Sequence, residues 1–254
     1  MSTDLFSLEG KTAIVTGASR GIGKAIALGF ARAGADVAVA ARSEADLKSL
    51  ANEIEDVGRR ALVIPTDVTQ RDQLERLVEQ TVSELGGLDI LVNNAGGTKF
   101  MAPIVTLRPE GWDKAMALNL DAVFHATQLA AQKMVELGGG SIVQISSVAG
   151  IMGTPGLSFY SAAKGAVRLL SQSVAKELAE SNVRVNSISP GWVATDLNSN
   201  LRDDAATEKF VIDMVPMKRW GKAEDIVGAA IYLASEASSF VTGATLVVDG
   251  GQTA

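Results

Sequence analysis

The feature that most constrains this chain is an alternation that runs through it: short apolar runs, each bounded by Gly, Asn, Asp or Pro, separated by longer helical patterns. "KTAIVTG" (Lys11–Gly17), "DVAVAA" (Asp36–Ala41), "ALVIPTD" (Ala61–Asp67), "LDILVNN" (Leu88–Asn94), "GSIVQISS" (Gly140–Ser147), "VRVNSISP" (Val183–Pro190) and "ATLVVDGG" (Ala244–Gly251) read as buried strands. Helical periodicity covers Ile22–Arg32, Glu44–Val57, Gln70–Leu85, Glu110–Leu137 and Ala162–Glu180. Short apolar runs alternating with helices imply parallel pairing, so the pattern predicts an α/β doubly wound sheet of about seven strands with helices on both faces. Composition agrees: hydrophobic residues make up 47% of the chain but aromatics only 5%, a mix suited to Val/Ile/Ala strands under Ala/Leu helices. No Pro- or Ser-rich linker and no repeat divides the sequence, which predicts one domain over residues 1–254. The stretch Asn198–Lys222 breaks the alternation and is expected to be an irregular substrate lid.

Between the first strand and the first helix lies "TGASRGIG", with Gly17, Gly21 and Gly23 spaced G-x-x-x-G-x-G around Ser19, Arg20 and Ile22. Glycines there let backbone approach a ligand closely, and the helix N-terminus offers unpaired N–H groups to a pyrophosphate. In an open parallel sheet ligands sit beyond the carboxyl ends of the strands. Asp67 and Val68 end the third strand there, and Asn93, Ala95 and Gly96 of "NNAG" end the fourth, so all converge on one edge. The pattern is that of a Rossmann-type fold with a bound dinucleotide.

Ser147 ends the fifth strand at the same edge. Tyr160, one of two tyrosines, begins the next helical pattern, and Lys164 lies one turn further on the same face. A phenol titrates near 10, and bringing it to about 7 takes about 4 kcal/mol. An ammonium about 4.5 Å away supplies roughly 3–4 kcal/mol at an effective dielectric of 20. The sequence therefore predicts an acid–base phenol, with Ser147 donating to a substrate carbonyl.

Together "TGASRGIG", "NNAG", Asn119 in "ALNLDAVF", Ser147, "YSAAK" and "PGWVAT" resemble the short-chain dehydrogenase/reductase family, from about Lys11 to Gly251. The resemblance implies a nicotinamide-dependent oxidoreductase of ketones and secondary alcohols, with hydride transfer at the nicotinamide and proton transfer at Tyr160. It further implies that Lys164 tunes the phenol and binds the ribose. Asn119 would hold a relay water, and Asp67 and Val68 would contact adenine. Asn93 to Gly96 would line the adenosine ribose, and Pro190, Gly191, Val193 and Thr195 would hold the nicotinamide carboxamide and phosphate. A homotetramer is expected too, and the long helices Glu110–Leu137 and Ala162–Glu180 carry more Ala, Val and Leu than one buried face needs.

NADP(H) is the expected cofactor, with NAD(H) as the lesser alternative. An NAD site places an acid at the end of the second strand. Here that position is Ala41, followed by Arg42, and Arg20 sits inside the glycine turn, where guanidinium groups suit a 2′-phosphate.

Other classes fare worse. A net charge of −6 without charge runs gives no nucleic-acid or anionic-membrane surface. No cysteine is present, the single histidine, His125, reads as an ordinary helix residue, and no metal site is expected. The apolar runs are too short to span a bilayer, and the polar start "MSTDLFSLEGK" lacks a signal-peptide core, so a cytoplasmic protein is expected. A Ser147 hydrolase lacks both the G-x-S-x-G elbow and a placed histidine. A non-catalytic dinucleotide-binding module would not need Tyr160 and Lys164. Asp203-Asp204 reads as a solvated turn, and Trp192, Met214, Met217 and Trp220 as a substrate wall or its packing side. Within the oxidoreductases, 3-oxoacyl-carrier-protein reduction is the alternative to small ketones, alcohols or sugars. By eye, that group's carrier-docking positions fall at Glu136–Gly138 and Glu180–Ser181, neither basic here.

Overall fold

The computed structural model describes residues 3–98 and 100–254. Its seven strands are β1 (Thr12–Thr16), β2 (Asp36–Ala41), β3 (Ala61–Pro65), β4 (Ile90–Asn93), β5 (Gly140–Ile145), β6 (Val183–Pro190) and β7 (Thr245–Val248). They form one sheet, all parallel, in the order β3-β2-β1-β4-β5-β6-β7. The doubly wound fold expected from the alternation is the fold observed, and two strands, β2 and β6, keep the predicted limits.

The helices are α1 (Gly21–Arg32), α2 (Glu44–Glu55), α3 (Arg71–Leu85), α4 (Pro109–Met116), α5 (Ala122–Leu137), α6 (Ser158–Leu178), α7 (Ser199–Asp203), α8 (Ala205–Met214) and α9 (Glu224–Ala234). Strand alternation divides the core in two. Ala13, Val15, Val37 and Val39 pack with Ile26, Phe30, Leu47, Leu50 and Leu233 on one face. Ile14, Ala38, Ala40 and Leu91 pack with Leu74, Leu77, Ala126, Ala130 and Met134 on the other. Both faces are therefore buried, as all-parallel pairing demands.

Three segments differ from expectation. The single helix expected over Glu110–Leu137 contains a π turn, Ala117–Asp121, between α4 and α5. Helix α6 starts at Ser158, four residues before the predicted Ala162, so Tyr160 lies within its first turn. The stretch expected to be irregular, 198–222, contains α7 and α8, and α8 is capped by Asp204, whose carboxylate accepts from the Thr207 N–H at 2.9 Å. Asp204 is thus a helix cap and not part of a plain turn. No helix among the described residues is long and apolar enough to cross a membrane.

Candidate active site

The order of the sheet reverses between β1 and β4, and the glycine turn sits at that switch point. Thr16, the last residue of β1, ties the two strands together. Its hydroxyl donates to the Val92 carbonyl at 3.2 Å and accepts from the N–H groups of Asn94 and Ala95 at 3.0 and 3.1 Å. Asn94 completes the clasp by donating to the carbonyls of Thr16 and Gly17 at 2.9 and 3.2 Å. Backbone packing here leaves no room for a side chain. A Cβ on Gly23 would lie 2.3 Å from the Gly17 carbonyl oxygen and 2.4 Å from the Asn94 amide nitrogen. Gly17 has φ +66° and equally little space.

Helix α1 begins at this turn with Arg20 at its N-cap and no side chain capping it. Its first N–H groups are therefore offered to whatever approaches the turn. An open helix start and a cradle that a Cβ would fill fit a dinucleotide pyrophosphate. Thr195, whose methyl group packs over Gly21, brings the segment after β6 to the same place. Thr195 caps the next turn through a reciprocal capping box with Asn198. Gly191 follows Pro190 and lies against Asp249, and Val193 bridges to Gly221. Ser19 and Ile22 are half-buried, with Ile22 packed on the first core cluster.

At the outer end of β2, Ala41 is buried, whereas Arg42 and, in the turn, Arg20 are exposed. Among the described residues neither arginine side chain forms a hydrogen bond or ion pair. Asp67 is opposed by burial, but the N–H and hydroxyl of Thr69 at 3.0 and 2.8 Å, with Arg42 nearby, hold its carboxyl below the usual range. That carboxylate is therefore engaged in a local turn, and the Val68 side chain is buried in the second core cluster. Asn93 likewise faces inward: its amide donates to the Thr127 hydroxyl at 3.1 Å, a group also bound by Gln144. Only the backbone of Asn93 remains available to line a ribose. Its neighbour Asn94, which organises the turn, was not singled out in the sequence; the polar Thr16 at a strand end before a glycine was its one signal.

Ser147, Tyr160, Lys164 and Asn119 are brought together beyond the ends of β4 and β5. Lys164 is 3% exposed, and its ammonium donates to the Ile145 carbonyl at 2.8 Å and lies 5.8 Å from the centre of the Tyr160 ring. The Ser146 hydroxyl anchors α6 by donating to the Lys164 carbonyl at 2.9 Å, and the Gly150 backbone packs on the same peptide. These contacts set Ser147 opposite Tyr160, and the Ser147 hydroxyl accepts from the Ala149 N–H at 3.1 Å. Asn119, fully buried, lies in the π turn and also borders Gly96 alongside the Lys164 ammonium. Its side chain accepts from the Gly97 N–H at 2.7 Å and donates to the carbonyls of Gly97 and Ala115 at 3.1 and 3.0 Å. The amide is thus a clamp on the loop after β4; a relay water would have to use the Asn119 backbone.

The electrostatics revise one expectation. Tyr160 is half-buried by area, yet desolvation of its hydroxyl pushes the phenol up to about 12, against the opposing pull of Ser147. Desolvation also pulls the Lys164 ammonium down to about 8. Burial outweighs the Ser147 hydrogen bond, so the phenol is neutral at neutral pH. Desolvation of the hydroxyl keeps the phenol above the value near 7 expected from a neighbouring ammonium alone.

The sequence of these features has close counterparts. Residues 17–253 match the family model described as "Enoyl-(Acyl carrier protein) reductase". A short-chain type dehydrogenase/reductase from Mycobacterium marinum is 42% identical, with a TM-score of 0.92 and 98% of each chain covered. The chain belongs to the short-chain dehydrogenase/reductase family. Other members are nearly as similar. The 3-oxoacyl-[acyl-carrier-protein] reductase FabG of Thermotoga maritima is 41% identical, over 96% of this chain and 98% of its own. A gluconate 5-dehydrogenase from Burkholderia cenocepacia J2315, solved in complex with NADP and tartrate, is 40% identical with a TM-score of 0.94 and 98% of each chain covered.

Two further positions are settled by the geometry. His125, on α5, meets the Arg71 guanidinium through Nδ1 at 3.0 Å, on α3 and away from Tyr160. It is an ordinary helix residue, and this single histidine is not placed to activate Ser147 for hydrolysis. Glu136–Gly138 and Glu180–Ser181 precede β5 and β6, at the amino edge of the sheet. They lie at the opposite end from this chain's own site, so their charge does not guard its entrance as the sequence argument supposed.

Proposed function

We propose that this chain is an NADP(H)-preferring carbonyl reductase, working reversibly as a secondary-alcohol dehydrogenase, with Ser147, Tyr160, Lys164 and Asn119 as its catalytic group. The observation that carries the reading is the neutral Tyr160 phenol set beside Ser147, with the Lys164 ammonium beneath its ring. When bound, the nicotinamide supplies or accepts the hydride. Ser147 donates a hydrogen bond to the carbonyl oxygen, and Tyr160 gives that oxygen its proton as it becomes an alcohol. The phenolate left behind is stabilised by Lys164, and Asn119 fixes the loop that closes over both. The glycine turn, the backbone from Asn93 to Gly96 and the segment Pro190–Thr195 hold the cofactor, with Arg20 and Arg42 on the 2′-phosphate. Helices α7 and α8 serve as the lid of a single domain, and a cytoplasmic location suits the sequence.

The test is NADPH oxidation over a panel of ketones, with Tyr160→Phe beside wild type. Turnover falls at least ~100-fold while NADPH binding changes little; a variant keeping a tenth of the activity refutes the assignment. A second reading, reduction of 3-oxoacyl groups on a carrier, is favoured by the 41% identity to such a reductase. We further propose a homotetramer, because α5 exposes Phe124, Val135 and Leu137, α6 exposes Leu169, and the edge strand β7 exposes Leu246 and Val247. Light scattering at micromolar concentration gives four times the chain mass; a monomer mass refutes it.

A further inference from the structure

We infer that the substrate is an apolar-chained ketone or alcohol, gripped by its hydrocarbon part and not by a carboxylate or sugar hydroxyls. This inference rests on the oxidoreductase reading and narrows its substrate. The loop that joins Ser147 to Tyr160, "VAGIMGTPGLSF", contains no ionisable side chain, and it exposes Ile151 and Met152, the latter 45% accessible. A second loop, after β4, is bonded to it: the Ala102 N–H donates to the Gly156 carbonyl at 2.9 Å, and Met101 packs on Gly156. Phe100 stacks on Phe159, the residue before the acid, with centroids 4.5 Å apart and planes 15° from parallel. Met101 stands 62% exposed beside it. From Ala95 to Leu107 the only ionisable residue is Lys99, which lies outside the described residues.

The lid helix repeats the theme. On α8, Val211 faces the core while Phe210 and Met214, one turn apart, are exposed, and Met217 continues the stripe. The charged residues Lys209 and Asp213 are paired with each other on the helix. Three segments at the carboxyl edge thus present Phe100, Met101, Ile151, Met152, Phe210 and Met214 to solvent. Exposed apolar surface of this extent marks a binding groove, and methionine suits chains of variable shape. Against these six apolar side chains the hydroxyls and carboxylate of a keto sugar acid would find no partner.

The test compares the methyl ketones from 2-butanone to 2-nonanone with 5-keto-D-gluconate, using NADPH. Catalytic efficiency rises about two- to fourfold per methylene, chiefly through KM, and the sugar acid is turned over at least ~100-fold less efficiently. A flat series overturns the inference, as does a preferred sugar acid whose turnover is lost in Lys99→Met. Met101→Asp with Met152→Asp reduces the slope below about twofold per methylene; an unchanged slope in the folded variant overturns the assignment of the rim. Calorimetric binding of 2-butanol and 2-nonanol to the enzyme with NADPH separates this inference from the reading beneath it. Tighter binding of the longer alcohol, together with no NADPH oxidation by any ketone of the panel, sustains the apolar groove and refutes the oxidoreductase. Equal binding refutes the groove, whatever the turnover.

Discussion

The two sides of the cleft are built on different principles. On the dinucleotide side, backbone does the holding. Thr16 and Asn94 lock two strands and a turn into contact so close that a single methyl group on Gly23 would collide with the Gly17 carbonyl and the Asn94 amide. On the substrate side, apolar side chains stand half in water on loops and on α8. A ligand shared by many proteins can be met by fixed N–H groups, whereas a variable ligand is met by side chains that change freely without disturbing the fold. Tyr160 and Lys164 stand on the boundary, on a helix anchored from both sides by Ser146 and Gly150.

The largest expected effect breaks the boundary itself. Lys164→Met lowers kcat/KM by about 100- to 10,000-fold, because the phenolate loses its cation, yet it raises stability. The unfolded lysine titrates at 10.5 and the folded one at about 8. Between these values the unfolded chain binds the proton and the folded chain does not, so stability from this group rises with pH through that window. Below about pH 8 the folded protein carries the full cost, up to about 3 kcal/mol at 1.36 kcal/mol per unit. Thermal unfolding at pH 7 therefore shows a higher Tm in the variant, and the gap closes as pH approaches 10.5. Wild-type ketone reduction declines above about pH 8 as the ammonium is lost, while the phenol, at about 12, stays protonated. A lower Tm for the variant at pH 7 would show that Lys164 supports the fold.

The second test sharpens the claim that the cofactor side tolerates nothing. Gly23→Ala weakens NADPH binding about 100-fold and costs about 1–3 kcal/mol of stability, since the Gly17 carbonyl must move. Met152→Ala, which removes three heavy atoms from an exposed side chain on the other side, costs less than about 0.5 kcal/mol. Parallel denaturation curves check both, and similar losses would erase the distinction between the two sides.

The smallest effect is in cofactor choice. Arg20 and Arg42 each favour NADP by roughly 10- to 100-fold, taking about 1.5–3 kcal/mol for a charged hydrogen bond. Ala41→Asp with Arg42→Ser reverses the ratio of kcat/KM for the two cofactors. Equal wild-type values for NADPH and NADH would remove the role of both arginines.

Legibility in the sequence followed the same division. Strands buried on both faces announce themselves as apolar runs, so the sheet, its helices and the meeting of Ser147 with Tyr160 and Lys164 could all be read. The π turn at Asn119 could not, because one extra residue in a long helical pattern barely disturbs its period. Helix α8 was hidden because it is only 10 residues long, a span too short for helical periodicity to stand out. Roles that depend on which way a side chain turns were also out of reach. Asn93 and Asn94 are identical neighbours, yet one faces Thr127 and the other the glycine turn.

The Thr16 clasp also sets an order of events during folding. Its partners lie 76 to 79 positions along the chain, so the β1–β4 junction forms only after a long loop has closed. A folding chain that has assembled β1, α1, β2, α2 and β3 owns every glycine of the turn but nothing to hold Gly17 in place. Nucleotide affinity will therefore emerge late and abruptly during refolding, when the two halves of the sheet join, and a bound cofactor will slow the reverse step by bracing that seam.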